Sequence, residues 1–207
     1  MRLTLKNISK KFASQMLYEN LNKTLHSGQS WAITGKNGSG KSTLLQIIAG
    51  TAQPSKGEVT YEQHQKTIPP DFWYRHLSIV APYVNLLEEL TVTEFLNIHF
   101  ALKPMLGTKD EFLTSCHLQD HKNKMLKYFS SGMKQRLKLN LAFRSKSELI
   151  LLDEPTSNLD KKFTQWYLDE IKTLNERKEK ILIVFSNLEE EFSWCEEILD
   201  LSFNNKS

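Results

Sequence analysis

Cysteine is scarce in this chain. Two among 207 residues, Cys116 and Cys195, stand far apart and form no Cys-x-x-Cys pair. That pattern fits a reduced, cytosolic setting and gives no disulfide framework. Long apolar runs are missing as well: no stretch approaches the roughly 18 residues that suggest a bilayer-spanning helix. The first residues, MRLTLKNISKKF, alternate apolar and polar and lack the apolar centre of a signal peptide. Any membrane role is therefore expected to come through a partner chain. Charge of one sign is not in large excess. The formal net charge is +3 and the lysines are scattered, so the electrostatic footprint of a nucleic-acid binder is absent. There is also no internal repeat and no low-complexity linker. What is present is 40% hydrophobic and 25% charged residues, the mix of a soluble globular protein. The length suits a single domain over residues 1–207 that buries a real core without a staple.

Along the chain the pattern alternates. Leu3, Leu5 and Ile8 have strand spacing, Ser27-Gly28 makes a turn, and Trp31–Ile33 is an apolar strand. A glycine-rich segment and a helix closed by Gly50 follow. Residues of about 86 to 130 lean helical and form a sub-lobe. The remainder predicts helix 132–145, strand ELILL, helix 160–176, strand ILIVF, helix 188–195 and strand ILDLSF. Strands alternating with helices predict an α/β fold with a parallel central sheet.

Two segments carry chemistry. GKNGSGKS, Gly35 to Ser42, matches G-x-x-x-x-G-K-[ST] after a strand and before a helix. Gly35, Gly38 and Gly40 permit turns that aim N–H groups inward, with Lys36, Asn37 and Ser39 between them. The helix start adds its positive dipole end. Lys41 is expected to reach the β and γ phosphates of a nucleotide, Ser42 to ligate Mg²⁺, and Thr43 to bond the α phosphate. The bland alternative is a chance glycine-rich turn. ELILLDEP then ends an apolar strand on two acids. Asp153 is placed to hold Mg²⁺ through water, and Glu154 to polarise an attacking water. The bland alternative here is a helix cap.

These residues, with SSGMKQR between them and SNLD after them, resemble the nucleotide-binding subunit of ABC transporters over nearly the whole chain. The resemblance implies a P-loop NTPase with a parallel central sheet, an N-terminal antiparallel β subdomain and a helical sub-lobe. It implies ATP and Mg²⁺ as cofactors, and ATP hydrolysis coupled to transport. Two copies, or two homologous ATPase subunits, are expected to face each other head to tail. Each ATP then lies between one chain's phosphate loop and the other's signature, Ser130, Ser131, Gly132 and Met133. An integral membrane transporter subunit is the implied partner, which puts this chain in the cytoplasm at the inner face of the membrane. Phe12 falls where the family stacks an aromatic on adenine, with Tyr18 a weaker alternative and core packing the competing reading. Ser157–Asp160 is the implied D-loop.

Three positions depart from the family. Ser131 stands for a signature glycine, and fits if its φ is not positive. Tyr83 stands for a glutamine that reaches the metal and water, with Asn85 nearby as a substitute. Ser186, followed by Asn187, stands for a histidine that senses the γ phosphate, and neither residue can carry that charge. Elsewhere, Cys116, His117 and His121 have metal-ligand spacing but read as a surface patch. Trp73–His76 reads as a packed turn, and Lys134, Arg136 and Lys138 as a solvated helix face. The rival functions are a soluble ABC ATPase acting on macromolecules and an ATP-driven clamp with weak hydrolysis. The first usually carries tandem domains or a coiled-coil insertion, and neither is seen in this sequence.

Overall fold

A computed structural model describes residues 1–12 and 15–203. Four strands make an antiparallel sheet: β1 (Arg2–Phe12), β2 (Gln15–His26), β4 (Lys56–Gln63) and β5 (Lys66–Ile68), in the order β2-β1-β4-β5. The other five, β3 (Ser30–Thr34), β6 (Leu77–Val80), β7 (Leu149–Asp153), β8 (Ile181–Phe185) and β9 (Glu197–Asp200), form a second sheet in the order β6-β7-β8-β3-β9. All its pairings are parallel. Every residue of LILLD and ILIVF is buried, as expected for strands covered on both faces.

One core cluster joins the antiparallel sheet to the parallel sheet and to α1 (Lys41–Ile48). It includes Tyr18, Leu44, Ile48, Tyr61, Trp73 and Phe185. A second lies on the opposite face, under α4 (Ser131–Arg144) and α5 (Lys161–Arg177). A third belongs to the helical sub-lobe, with α2 (Val92–Leu102) and α3 (Lys109–Ser115). Both sub-lobe helices start on a capping box, Thr91 with Glu94 and Thr108 with Glu111. The lobe's two ends are tied by backbone bonds, Leu126 N to Leu90 O at 2.9 Å and Val92 N to Lys124 O at 3.2 Å.

Several sequence expectations shift here. The last helix is short, α6 (Glu189–Phe192), and the final strand stops at Asp200 before a 3₁₀ turn. Arg136 is buried rather than solvated: its guanidinium lies 3.8 Å from the Phe163 ring centre and donates to the carbonyls of Cys116 and His117. A guanidinium can leave water this way because it stacks and donates in plane at once. Lys134 pairs with Glu88 at 2.7 Å, and Lys138 is half-buried. Trp73 packs flat on Tyr61, ring centres 4.2 Å apart, in the 3₁₀ turn Pro70–Arg75. His117 and His121 rest edge-on against Phe163 and Phe129. Among the described residues no group of three or more His, Cys, Asp or Glu could hold a metal ion. Burial pushes both thiols up to about 12, which favours the protonated thiol over the nucleophilic thiolate.

Candidate nucleotide site

The site forms where β3 turns into α1, at the carboxyl edge of the parallel sheet. Gly40 is the N-cap of α1 at φ 98, and no side chain caps that end. The first N–H groups of α1 are thus left for an anion. A Cβ on Gly40 would lie 2.9 Å from Tyr18 Cε1 and 3.0 Å from Leu17 Cδ1. Tyr18 is therefore a buried prop beneath the loop, and the alternative that it stacks on a base does not hold. Lys41 is buried and folds back, with Nζ 2.5 Å from Gly35 O. At the head of β7's carboxyl end, Asp153 Oδ2 accepts from Ser42 Oγ at 3.0 Å. Burial holds the Asp153 carboxyl above the usual carboxylate range. Glu154 and Glu191 push the same way, while the Ser42 bond and Lys41 oppose.

A cavity of about 540 Å³ collects these groups. Asn37, Gly38, Gly40, Lys41, Ser42, Thr43, Asp153 and Glu154 line it, together with Phe12 and Tyr83. Phe12 is 54% exposed, which disfavours the core-packing reading and leaves a ring face open to the cleft. Lys10 Nζ lies 4.9 Å from the ring centre and donates to Gln53 O. Tyr83 is 45% exposed; burial and the Asp153 charge push its phenol up to about 12, against the pull of a bond with Gln46. Asn85 lines a different groove, beside Ser78 and Phe95. Glu154 has φ 47, a left-handed conformation rare for a side-chain-bearing residue, and its N–H is held by Phe185 O at 3.0 Å.

At the end of β8 the geometry differs from the sequence expectation. Ser186 is buried and its Oγ accepts from Leu188 N at 2.9 Å, capping the turn into α6. It is Asn187 that meets the phosphate loop, Oδ1 accepting from Gly35 N at 3.0 Å. Ser202 Oγ likewise accepts from Lys36 N at 3.2 Å. Sequence reading missed Ser202, Leu17 and Pro82. Only Leu17 carried a signal, its place close in sequence to Phe12.

The signature segment lies outside this cavity. Ser130 is the N-cap of α4 and its Oγ accepts from Met133 N at 3.2 Å. Ser131 is the first helical residue and has no positive φ, so its Cβ is tolerated. Ser130 and Ser131 are exposed, Gly132 and Met133 half-buried. Gly132 packs close to the D-loop, where an added Cβ would sit 2.8 Å from Asn158 O.

A parallel sheet with a glycine loop opening a helix, and an acid at the end of β7, two places away from β3 with β8 between them, defines the P-loop nucleoside triphosphatase fold. Comparison with known proteins narrows the class. The family model described as "ABC transporter" matches residues 18–157. The chain is 31% identical over 181 residues to a spermidine/putrescine import ATP-binding protein of Thermotoga maritima, covering 84% of this chain and 49% of that protein. It is 28% identical to the uncharacterized ABC transporter ATP-binding protein YybJ of Bacillus subtilis, covering 95% and 90%. The dimeric ATP-binding cassette MJ0796, solved in a post-hydrolysis state with ADP and Pi, superposes with a TM-score of 0.80 at 25% identity, over 96% of this chain and 93% of that one. This chain belongs to the ABC transporter family. It spans about half the length of the polyamine transport relatives it matches. No helix among the described residues is long and apolar enough to cross a membrane.

Proposed function

We propose that this chain binds Mg·ATP and hydrolyses it as one half of a head-to-tail pair, with a second copy or a homologous ATPase subunit as the other half. In this reading residues 1–207 act as a single cassette domain that drives transport through a separate integral membrane subunit, from the cytoplasmic face. The observation that carries it is the division of the site. One cavity gathers the phosphate loop, Asp153 and Glu154, while Ser130 and Ser131 stand exposed at a helix start outside it. A helix start presented to solvent is suited to an ATP held by another chain.

In this reading Phe12 stacks on the base, backed by Lys10. The N–H groups of the phosphate loop and α1 surround the phosphates, and Lys41 leaves Gly35 O for them. Ser42 and Asp153 offer hard oxygen donors of the kind Mg²⁺ takes, one or two from protein and the rest from water and phosphate. When bound, the ion neutralises charge on the β and γ oxygens. Glu154 accepts a proton from the water as its oxygen attacks the γ phosphorus; the bond to the β–γ bridging oxygen breaks, leaving ADP and phosphate. Ser130, Ser131, Gly132 and Met133 of the facing subunit close on the γ phosphate. Tyr83 and the Ser186–Asn187 turn border the same phosphates as switch positions.

Turnover by the cassette with its membrane partner tests this. Glu154→Gln should abolish hydrolysis and trap ATP in a closed pair. An unchanged rate in Glu154→Gln would remove Glu154 from the role. Tight ATP binding with no turnover in the unmodified chain would favour the clamp.

A further inference from the structure

We infer that Glu191, on α6 and outside the nucleotide cavity, is a positioning residue that holds Glu154 in its working conformation. Glu191 is completely buried, among the least expected places for a carboxylate. Its Oε1 accepts from Thr156 N at 2.7 Å and also from Thr156 Oγ1. Its own backbone is fixed to the scaffold: Glu191 O accepts from Tyr167 Oη at 3.2 Å and from Trp194 Nε1 at 2.7 Å. The other carboxylate oxygen, Oε2, is buried without a hydrogen-bond partner. A buried acid that meets only half its hydrogen-bonding capacity is costly, which argues for a use beyond packing.

The use is found two residues before Thr156. Glu154 sits at φ 47, and such a conformation persists only where its surroundings over-determine it. Glu154 N is held by Phe185 O, Pro155 O receives Gln135 Nε2 at 2.8 Å, and Thr156 is held by Glu191. Three successive residues are thus clamped from three elements: β8, the signature helix α4, and α6. Glu191 supplies two of these bonds. Without them Thr156 N is left buried and unpaired, and the turn from Glu154 to Ser157 can relax toward ordinary φ. The Glu154 carboxylate then moves away from the water it must meet, a displacement that lowers kcat while the phosphate loop, and so KM, is untouched.

This inference rests on Glu154 as the group that handles the attacking water. The experiment measures kcat, KM for ATP and the number of ATP sites per chain for the cassette with its membrane partner. Glu191→Ala should lower kcat about tenfold or more with KM and site number unchanged, because small misplacements at a reacting centre cost this much. Glu191→Gln keeps an acceptor for Thr156 and should recover most of the rate. From the other partner, Thr156→Val should lower kcat and Thr156→Ser restore it, which supplies the test if Glu191→Ala does not fold. A Glu191→Ala kcat within twofold of the unmodified chain would overturn the inference, as would a rate loss matched by loss of ATP sites. Either result alongside an inactive Glu154→Gln refutes the positioning role of Glu191 alone. An active Glu154→Gln refutes the role of Glu154 first.

Discussion

Replacing Gly40 by alanine tests how the phosphate loop is built. Gly40 has φ 98, and a Cβ there meets Tyr18 Cε1 at 2.9 Å, Leu17 Cδ1 at 3.0 Å and Leu17 Cβ at 3.3 Å. Tyr18 is fully buried, so its ring cannot swing aside, and Leu17 Cβ moves only with its backbone. Gly38 is the matched control, at φ 82 with nothing within 4 Å of an added Cβ. Both substitutions incur a left-handed backbone cost of about 1–2 kcal/mol. Both recover about 0.4–1 kcal/mol from a less flexible unfolded chain. Only Gly40→Ala adds overpacking, about 1–3 kcal/mol. At about 2–4 °C per kcal/mol for a chain of this size, Gly40→Ala should melt about 2–12 °C below Gly38→Ala. Differential scanning calorimetry without nucleotide reads the gap directly. Equal melting temperatures would show that Tyr18 and Leu17 do not brace the loop, and the prop described above would be wrong.

Other outcomes follow from single contacts. Ser42→Ala removes the hydroxyl bonded to Asp153 and should weaken Mg²⁺-dependent ATP binding about 10–100-fold, judged from losses at metal-site partners, while leaving metal-free nucleotide binding nearly intact by calorimetric titration. Phe12→Ala removes an exposed ring worth about 1–3 kcal/mol to a stacked base, so the Kd for ATP should rise about fivefold to 150-fold with kcat preserved. Lys103, which donates to Leu77 O, is lowered to about 8, first by burial and then by Lys180. The folded state thus binds this proton more weakly than the unfolded chain, whose lysine titrates at about 10.4. Stability from this group rises between about pH 8 and 10.4, so the unmodified chain should gain in Tm relative to Lys103→Met across that window. A constant difference in Tm would show that Lys103 is not desolvated.

Much was legible from the residues alone because the signals are local. The phosphate loop needs glycines at fixed offsets before a helix. Buried parallel strands such as LILLD and ILIVF need uninterrupted apolar runs. The acids stand in line after one of them. Those requirements fix residue type and spacing over fewer than about ten positions, the range at which sequence pattern is informative. Phe12 remained open to two readings until its exposure was known. Arg136 looked solvated because charge patterning cannot see that Phe163 and two carbonyls, from distant parts of the chain, converge on it.

The tertiary structure alone decided the pairings across long sequence separations. Ser186 and Asn187 are adjacent and similar, yet one caps a turn and the other reaches Gly35, 152 residues away. Glu191 stands in a run of three glutamates, and nothing in Glu189-Glu190-Glu191 distinguishes it. Burial against Tyr167 and the approach of Thr156 single it out. The sequence by itself determined the class of chemistry, because phosphate and metal demand particular atoms at particular local spacings. Which neighbouring side chains hold those atoms in place was decided by packing, since a hydrogen bond depends on where the folded chain brings its two ends.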